Sequence, residues 1–153
     1  MLPEEIKKYV GQTVDSSVFR VEKEPVRRFA DAVGDPNPLY HDEEYARKSR
    51  FGAILAPPGF LSSLWFTGRK RAEDIGPTAL MQALAAAGHG RVLDTGIDYD
   101  FFQPVRVGDT IRSAAVVTNI MERAGVVFVV IETTFTNQND QTVMKSRSMT
   151  AHQ

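Results

Sequence analysis

Up to about residue 90 the apolar residues recur at helical spacing, and further along they alternate or cluster as strands do. Pro25 suits the first turn of a helix, Val26, Phe29, Ala30 and Val33 repeat along one face, and Gly34 supplies a stop. Asp42 is placed to cap a second, short helix whose first turn carries Glu43 and Glu44, the right charge for its positive end. Between the two lies GDPNPLYH, residues 34–41. Its two prolines and Asn37 forbid regular helix, so Asp35, Asn37 and His41 are predicted on a constrained loop. Residues 56–66, APPGFLSSLWF, open on breakers and continue apolar on nearly every side, the pattern of a helix buried in a core. The Ala-rich stretch within 72–90 predicts another helix, ended by Gly88 and Gly90.

The C-terminal part changes period. Ile97, Tyr99 and Phe101 alternate with Asp98 and Asp100, and the segments 110–120, 126–135 and 142–150 are rich in Val, Ile, Thr and Phe. RAG at 123–125 and NQND at 137–140 are short turn sequences, so neighbouring strands should pair antiparallel as a meander. VVFVVI at 126–131 lacks alternation, which predicts a central strand covered on both faces. Helices first and strands after give an α+β domain spanning 1–153, one antiparallel sheet wrapped around one apolar helix, with no internal repeat and no linker.

Composition narrows the function classes. Eighteen Lys and Arg against 19 Asp and Glu leave a formal charge of -1, so no broad basic surface is offered to nucleic acid or an anionic membrane. Cysteine is absent, which removes disulfides, thiol nucleophiles and thiolate zinc sites. The longest apolar run, 124–131, is far short of the roughly 20 residues that span a bilayer. MLPEEIKKYVG puts charges where a signal peptide needs its apolar stretch, so a cytoplasmic location is expected. The sequence holds no GxxxxGK[ST], GxGxxG, GxSxG or HExxH, and its three His (His41, His89, His152) form no ligand cluster, so neither metal nor cofactor is expected.

One segment concentrates chemistry. FADAVGDPNPLYHDEEYA brings an acid, an amide and an imidazole onto a rigid loop beside two helix ends. With APPGF at 56–60, QPVRVGDT at 103–110 and the closing IETTFTNQND and SRSMT, it resembles the MaoC-like hydratases and dehydratases of the hot-dog fold, in their N-terminal, fungal-synthase-like branch. The resemblance covers nearly the whole chain. It implies reversible hydration of a trans-2-enoyl thioester of coenzyme A or acyl carrier protein to the (R)-3-hydroxyacyl product. Such a reaction needs a base for water or the α-carbon and donors for the developing enolate. The resemblance assigns the first to Asp35 with His41, the orienting amide to Asn37, and the oxyanion contact to the Gly59 N–H. It places Tyr40, Pro58, Phe60 and Trp65 around the acyl group, and it implies a homodimer or a heterodimer with a second MaoC-like subunit.

One departure divides the readings. Aligned without gaps, NPLYHDEEYA puts Tyr40 where the family carries its catalytic His, with His41 one residue later. The leading reading has the loop shift to present His41, and the chain is then a hydro-lyase acting on acyl thioesters. If it does not, the chain is a non-catalytic subunit that shapes a substrate tunnel for a catalytic partner. A third class, acyl thioesterase, usually needs a carboxylate on the central helix, and GFLSSLWF has none. Each residue also has a plain structural role: Asp35 as a turn cap, His41 as an exposed cap of the next helix, Gly59 as a helix start. GRKR at 68–71 reads as solvated loop ahead of a phosphate or carrier-protein contact.

Overall fold

A long-range pairing that no local pattern specifies organises the molecule. In the computed structural model, which describes residues 2–64 and 77–153, five strands form one antiparallel sheet. They are β1 (Thr13–Arg20), β2 (Val92–Phe101), β3 (Thr110–Arg123), β4 (Val126–Thr136) and β5 (Thr142–His152), in the order β1-β3-β4-β5-β2. The helices are α1 (Glu4–Lys7), α2 (Lys23–Ala32), α3 (Glu43–Lys48), α4 (Phe60–Ser63) and α5 (Pro77–Ala86).

The predicted meander holds for β3, β4 and β5. Ala124 and Gly125 both sit at positive φ (51° and 76°), as a two-residue type I′ hairpin turn requires. The second turn is tied by Asn137, whose Oδ1 accepts from the backbone N–H of Asn139 and Gln141. β2 pairs instead with β5, on the far side of the meander, so its alternation marks its faces but not its neighbour. β1 pairs with β3 and has no counterpart in the hydrophobic pattern. It is a polar edge strand whose bulge, between Thr13 and Asp15, breaks the period of two. The short helix α1 lacks a sequence signal for the same reason: it buries only Ile6.

β4 lies at the centre of the sheet as predicted, but only one of its faces is buried. Val127, Val129 and Ile131 enter the core, whereas Val126, Phe128 and Val130 are half-buried on the other face. There Phe128 stands between Met121 and Ala151, and Val130 between Asn119 and Met149. Among the described residues no second layer covers that face, and lateral shielding by neighbouring strands is what lets an unbroken apolar run sit there.

Two apolar clusters fill the other side. Phe60, Leu61, Val26, Ile111, Phe135 and Met144 belong to one, the part nearer the α2–α3 loop. Leu80 and Leu84 of α5 pack with Ile6, Val117, Val127 and Val129 in the other. α5 ends before Gly88, which takes φ +92°, as the sequence suggests. The apolar helix expected over 56–66 is described only as α4, and Trp65, Phe66 and the GRKR run lie outside the described residues. His152 is fully buried beside these clusters; its Nε2 meets Thr150 Oγ1 at 2.9 Å, and its Nδ1 has no hydrogen-bond partner among the described residues. Burial first, and then nearby His89, hold its pKa below the ordinary histidine value of 6.5. Among the described residues, no helix is long and apolar enough to cross a membrane.

Candidate functional site

The loop after α2 is built from its own side chains. Gly34, at φ +70°, turns the chain out of α2, and the Asp35 N–H returns to the Ala30 carbonyl at 2.9 Å. Asp35 Oδ1 accepts from the Asn37 N–H at 3.0 Å, and Asn37 Oδ1 accepts from the Leu39 N–H at 3.0 Å. Asn37 thereby caps a single 3₁₀ turn, Pro38–Tyr40, and Asp42 caps α3 by accepting from the Tyr45 N–H at 2.9 Å. Asp35 and Asn37 thus spend at least one oxygen each on the loop's own backbone, the local bonding that Asx residues favour in turns.

This geometry separates Tyr40 from His41. His41 Nε2 lies 2.9 Å from the backbone carbonyl oxygen of Asp35, and since that oxygen only accepts, Nε2 carries the proton. Its Nδ1 is 3.9 Å from Asp31 on the exposed flank of α2. The imidazole therefore ties the two ends of the loop together, with Asp31 of α2 beside it. Tyr40 instead lines a cleft of about 330 Å³, together with Pro58, Gly59, Leu61, Phe101 and Phe102. Burial, and then the negative charge of Asp35, raise the Tyr40 phenol above its ordinary value of 10.0, so at neutral pH it is a hydrogen-bond donor and no base.

The other walls come from distant parts of the chain. Residues 54–56 run beside 105–107: the Ala56 N–H donates to Val105 O and the Val107 N–H to Ile54 O, both at 2.8 Å. QPVRVGDT is thus a brace under the cleft. Asp109 holds it by accepting from the Arg106 N–H at 2.8 Å, while Arg106 Nε donates to Phe51 O at 2.9 Å. Gly59 caps α4 at φ +86°, a conformation that L side chains rarely adopt, although a Cβ there would meet only Phe29 at 3.8 Å. Conformation, and not space, calls for glycine.

Of the residues singled out from sequence, Tyr40, Pro58 and Gly59 line the cleft, whereas Asp35, Asn37 and His41 belong to the loop beside it. Phe60 points into the core, edge-on to Phe29 with ring centroids 5.8 Å apart. Trp65 lies outside the described residues. Sequence reading missed Phe101, Phe102 and Met144 as cleft residues; the double aromatic directly ahead of QPVRVGDT was the available signal.

Comparison with known proteins follows the same lines. Residues 8–146 match the family described as the FAS1-like, dehydratase domain region. A "UPF0336 protein" of Streptomyces avermitilis is 30% identical over 118 residues, 76% of this chain and 74% of that one. Among solved structures, the C-terminally truncated HadBC (3R-hydroxyacyl-ACP dehydratase) complex of Mycobacterium tuberculosis superposes with a TM-score of 0.72. It is 23% identical, and the match covers 94% of this chain and 96% of that one. The ChsH1-ChsH2 complex of the same organism reaches 0.80 at 19% identity, covering 97% and 88%. Fold, motifs and family match agree: the chain belongs to the FAS1-like dehydratase-region family and carries the MaoC-like hot-dog fold.

Proposed function

We propose that this chain is the acyl-binding subunit of a heteromeric MaoC-type enzyme that hydrates 2-enoyl thioesters reversibly to (R)-3-hydroxyacyl thioesters, the proton-transferring acid and imidazole coming from its partner. One observation carries this reading: Tyr40, a phenol that stays protonated, faces the cleft, while the neighbouring imidazole of His41 is held against the Asp35 carbonyl. A general base must reach the proton it removes and titrate near the working pH, and Tyr40 fails the second condition. It can donate to the thioester carbonyl or the 3-hydroxyl. Pro58, Leu61, Phe101 and Phe102 supply the apolar walls that an acyl chain requires. Support also comes from two structures of this fold, HadBC and ChsH1-ChsH2, each a complex of two named components.

Reconstitution tests the reading. Crotonyl-coenzyme A is mixed with this chain and a MaoC-like subunit that retains its own Asp and His. Turnover should exceed that of the partner alone, survive His41→Ala in this chain, and vanish when the partner's Asp and His are replaced. If the partner's replacements leave turnover intact while His41→Ala removes it, this chain holds the catalytic pair and the proposal fails.

A further inference from the structure

The outer face of the sheet, turned away from both apolar clusters, carries an apolar band that the described residues leave half-open. The register sets Met121, Phe128, Ala151 and Leu93 in one row across β3, β4, β5 and β2, and Asn119, Val130, Met149 and Gly96 in the next. Met121 is 40%, Leu93 42% and Met149 37% exposed. The row beyond these two reads Val116, Glu132, Arg147 and Asp98, with Arg147 3.4 Å from Glu132. None of these residues lines the cleft. A contiguous apolar patch rimmed by charge is the mark of an interaction surface.

Shape and charge decide what covers it. Two copies can meet face to face through a two-fold axis lying between them. An axis parallel to the strands and midway between β4 and β5 sets β4 over β5 and β3 over β2 of the other copy, and keeps each row level. Phe128 then faces Ala151 and Asn119 faces Gly96, large against small, while the adaptable Met121 faces Leu93. Glu132 faces Arg147 and Arg147 faces Glu132, two opposite-charge pairs from one symmetry operation. Stacked sheets cross at about 30°, which displaces the rows next to the crossing point by roughly 4 Å, less than one strand spacing. With the crossing point at Val130 and Met149, both Phe128 and Glu132 stay within reach of their counterparts. Four strands of about ten residues span roughly 19 Å by 34 Å, so two copies bury up to about 1,300 Å², more than the ~1,000 Å² that a specific interface needs.

We infer that this outer face packs against the same face of a second copy of the chain, β4 over β5, with Glu132 and Arg147 exchanging partners across the interface. β4 thereby gains the second layer that its unbroken run VVFVVI encodes. The contact uses no cleft residue, so it holds whether or not the cleft binds a thioester.

Charge reversal in separate chains tests it. Glu132→Arg sets cations against cations across the interface and Arg147→Glu sets carboxylates against carboxylates. In sedimentation velocity each variant alone should self-associate at least about tenfold more weakly than wild type. An equimolar mixture of the two should regain wild-type affinity, although neither chain regains its internal Glu132–Arg147 pair. Met149→Lys, at the crossing point, should also weaken association at least about tenfold. Val18→Lys should change nothing, because Val18, 66% exposed, lies on β1, which overhangs the edge of β2 in the other copy. A mixture as weak as either variant alone, charge variants as tight as wild type, or a wild-type chain that stays monomeric up to about 100 μM would overturn the inference. If thermal melts show that a charge variant does not fold, Met149→Lys decides: weakened association supports the interface, and association as tight as wild type overturns it.

Discussion

Tyr40→Phe removes one oxygen from the cleft and little else. The ring keeps its volume between Pro58, Gly59 and the aromatic pair, so stability should change by less than about 0.5 kcal/mol, as for substitutions that leave packing intact. What goes is a neutral donor, worth about 0.5–1.5 kcal/mol when it bonds a substrate oxygen. Every 1.4 kcal/mol is a factor of ten, so that range corresponds to a rise in KM of between about twofold and tenfold. A donor that serves substrate and transition state alike leaves kcat unchanged, and we expect kcat within about twofold of wild type. The pH dependence follows from the raised phenol pKa, caused first by burial and then by Asp35. The phenol keeps its proton through neutral and mildly alkaline pH, and its donation is lost only as pH rises past its ordinary value of 10.0. Steady-state hydration of crotonyl-coenzyme A by the assembled enzyme, measured from pH 6 to 9, reads kcat, KM and their pH dependence, and thermal unfolding reads the stability. A fall in kcat of about a hundredfold, with KM and melting temperature unchanged, would show Tyr40 transferring a proton and refute the reasoning.

Three further outcomes are expected. His41→Ala should lower stability by about 1 kcal/mol, the loss of one partly exposed hydrogen bond, and Tm by roughly 2–4 °C, with kcat of the assembled enzyme within about twofold; a kcat loss near a hundredfold would make it catalytic. Ala124→Asn should stabilise the chain by about 1 kcal/mol, because Asn tolerates the left-handed region better than Ala, and denaturant unfolding that shows no gain would contradict the turn geometry. For His152 the folded pKa lies below the unfolded value of 6.5, so the unfolded chain binds the proton first; stability should be full above pH 6.5 and fall as pH drops through the folded pKa. Urea titrations from pH 7.5 to 5 should show that slope diminished in His152→Gln, and an identical slope in both proteins would remove His152 as its cause.

Much of this was legible in local pattern because local chemistry sets it. Gly34 and Asp42 bound their helices through a positive φ and a side-chain cap, and RAG closes its hairpin through two residues at positive φ. The pairing of β2 with β5 was not legible: an alternating strand encodes faces, and the choice of neighbour depends on a connection through 102–109 that braces against residues 54–56. β1 escaped because an edge strand with a bulge needs few apolar positions. At the site, the motif located the loop but not the direction of its side chains. That direction rests on the 3₁₀ turn at Pro38–Tyr40, which sends Tyr40 toward the cleft and His41 back to the Asp35 carbonyl.

The central claim is that this chain shapes the cleft without supplying the proton-transferring pair. A single-turnover experiment tests it most directly, with the purified chain alone in excess over crotonyl-coenzyme A and 3-hydroxybutyryl-coenzyme A measured as product. No hydration above the rate without protein is expected, with the thioester recovered intact. Formation of the (R)-3-hydroxy product by the isolated chain, abolished by His41→Ala or Asp35→Asn, would contradict it.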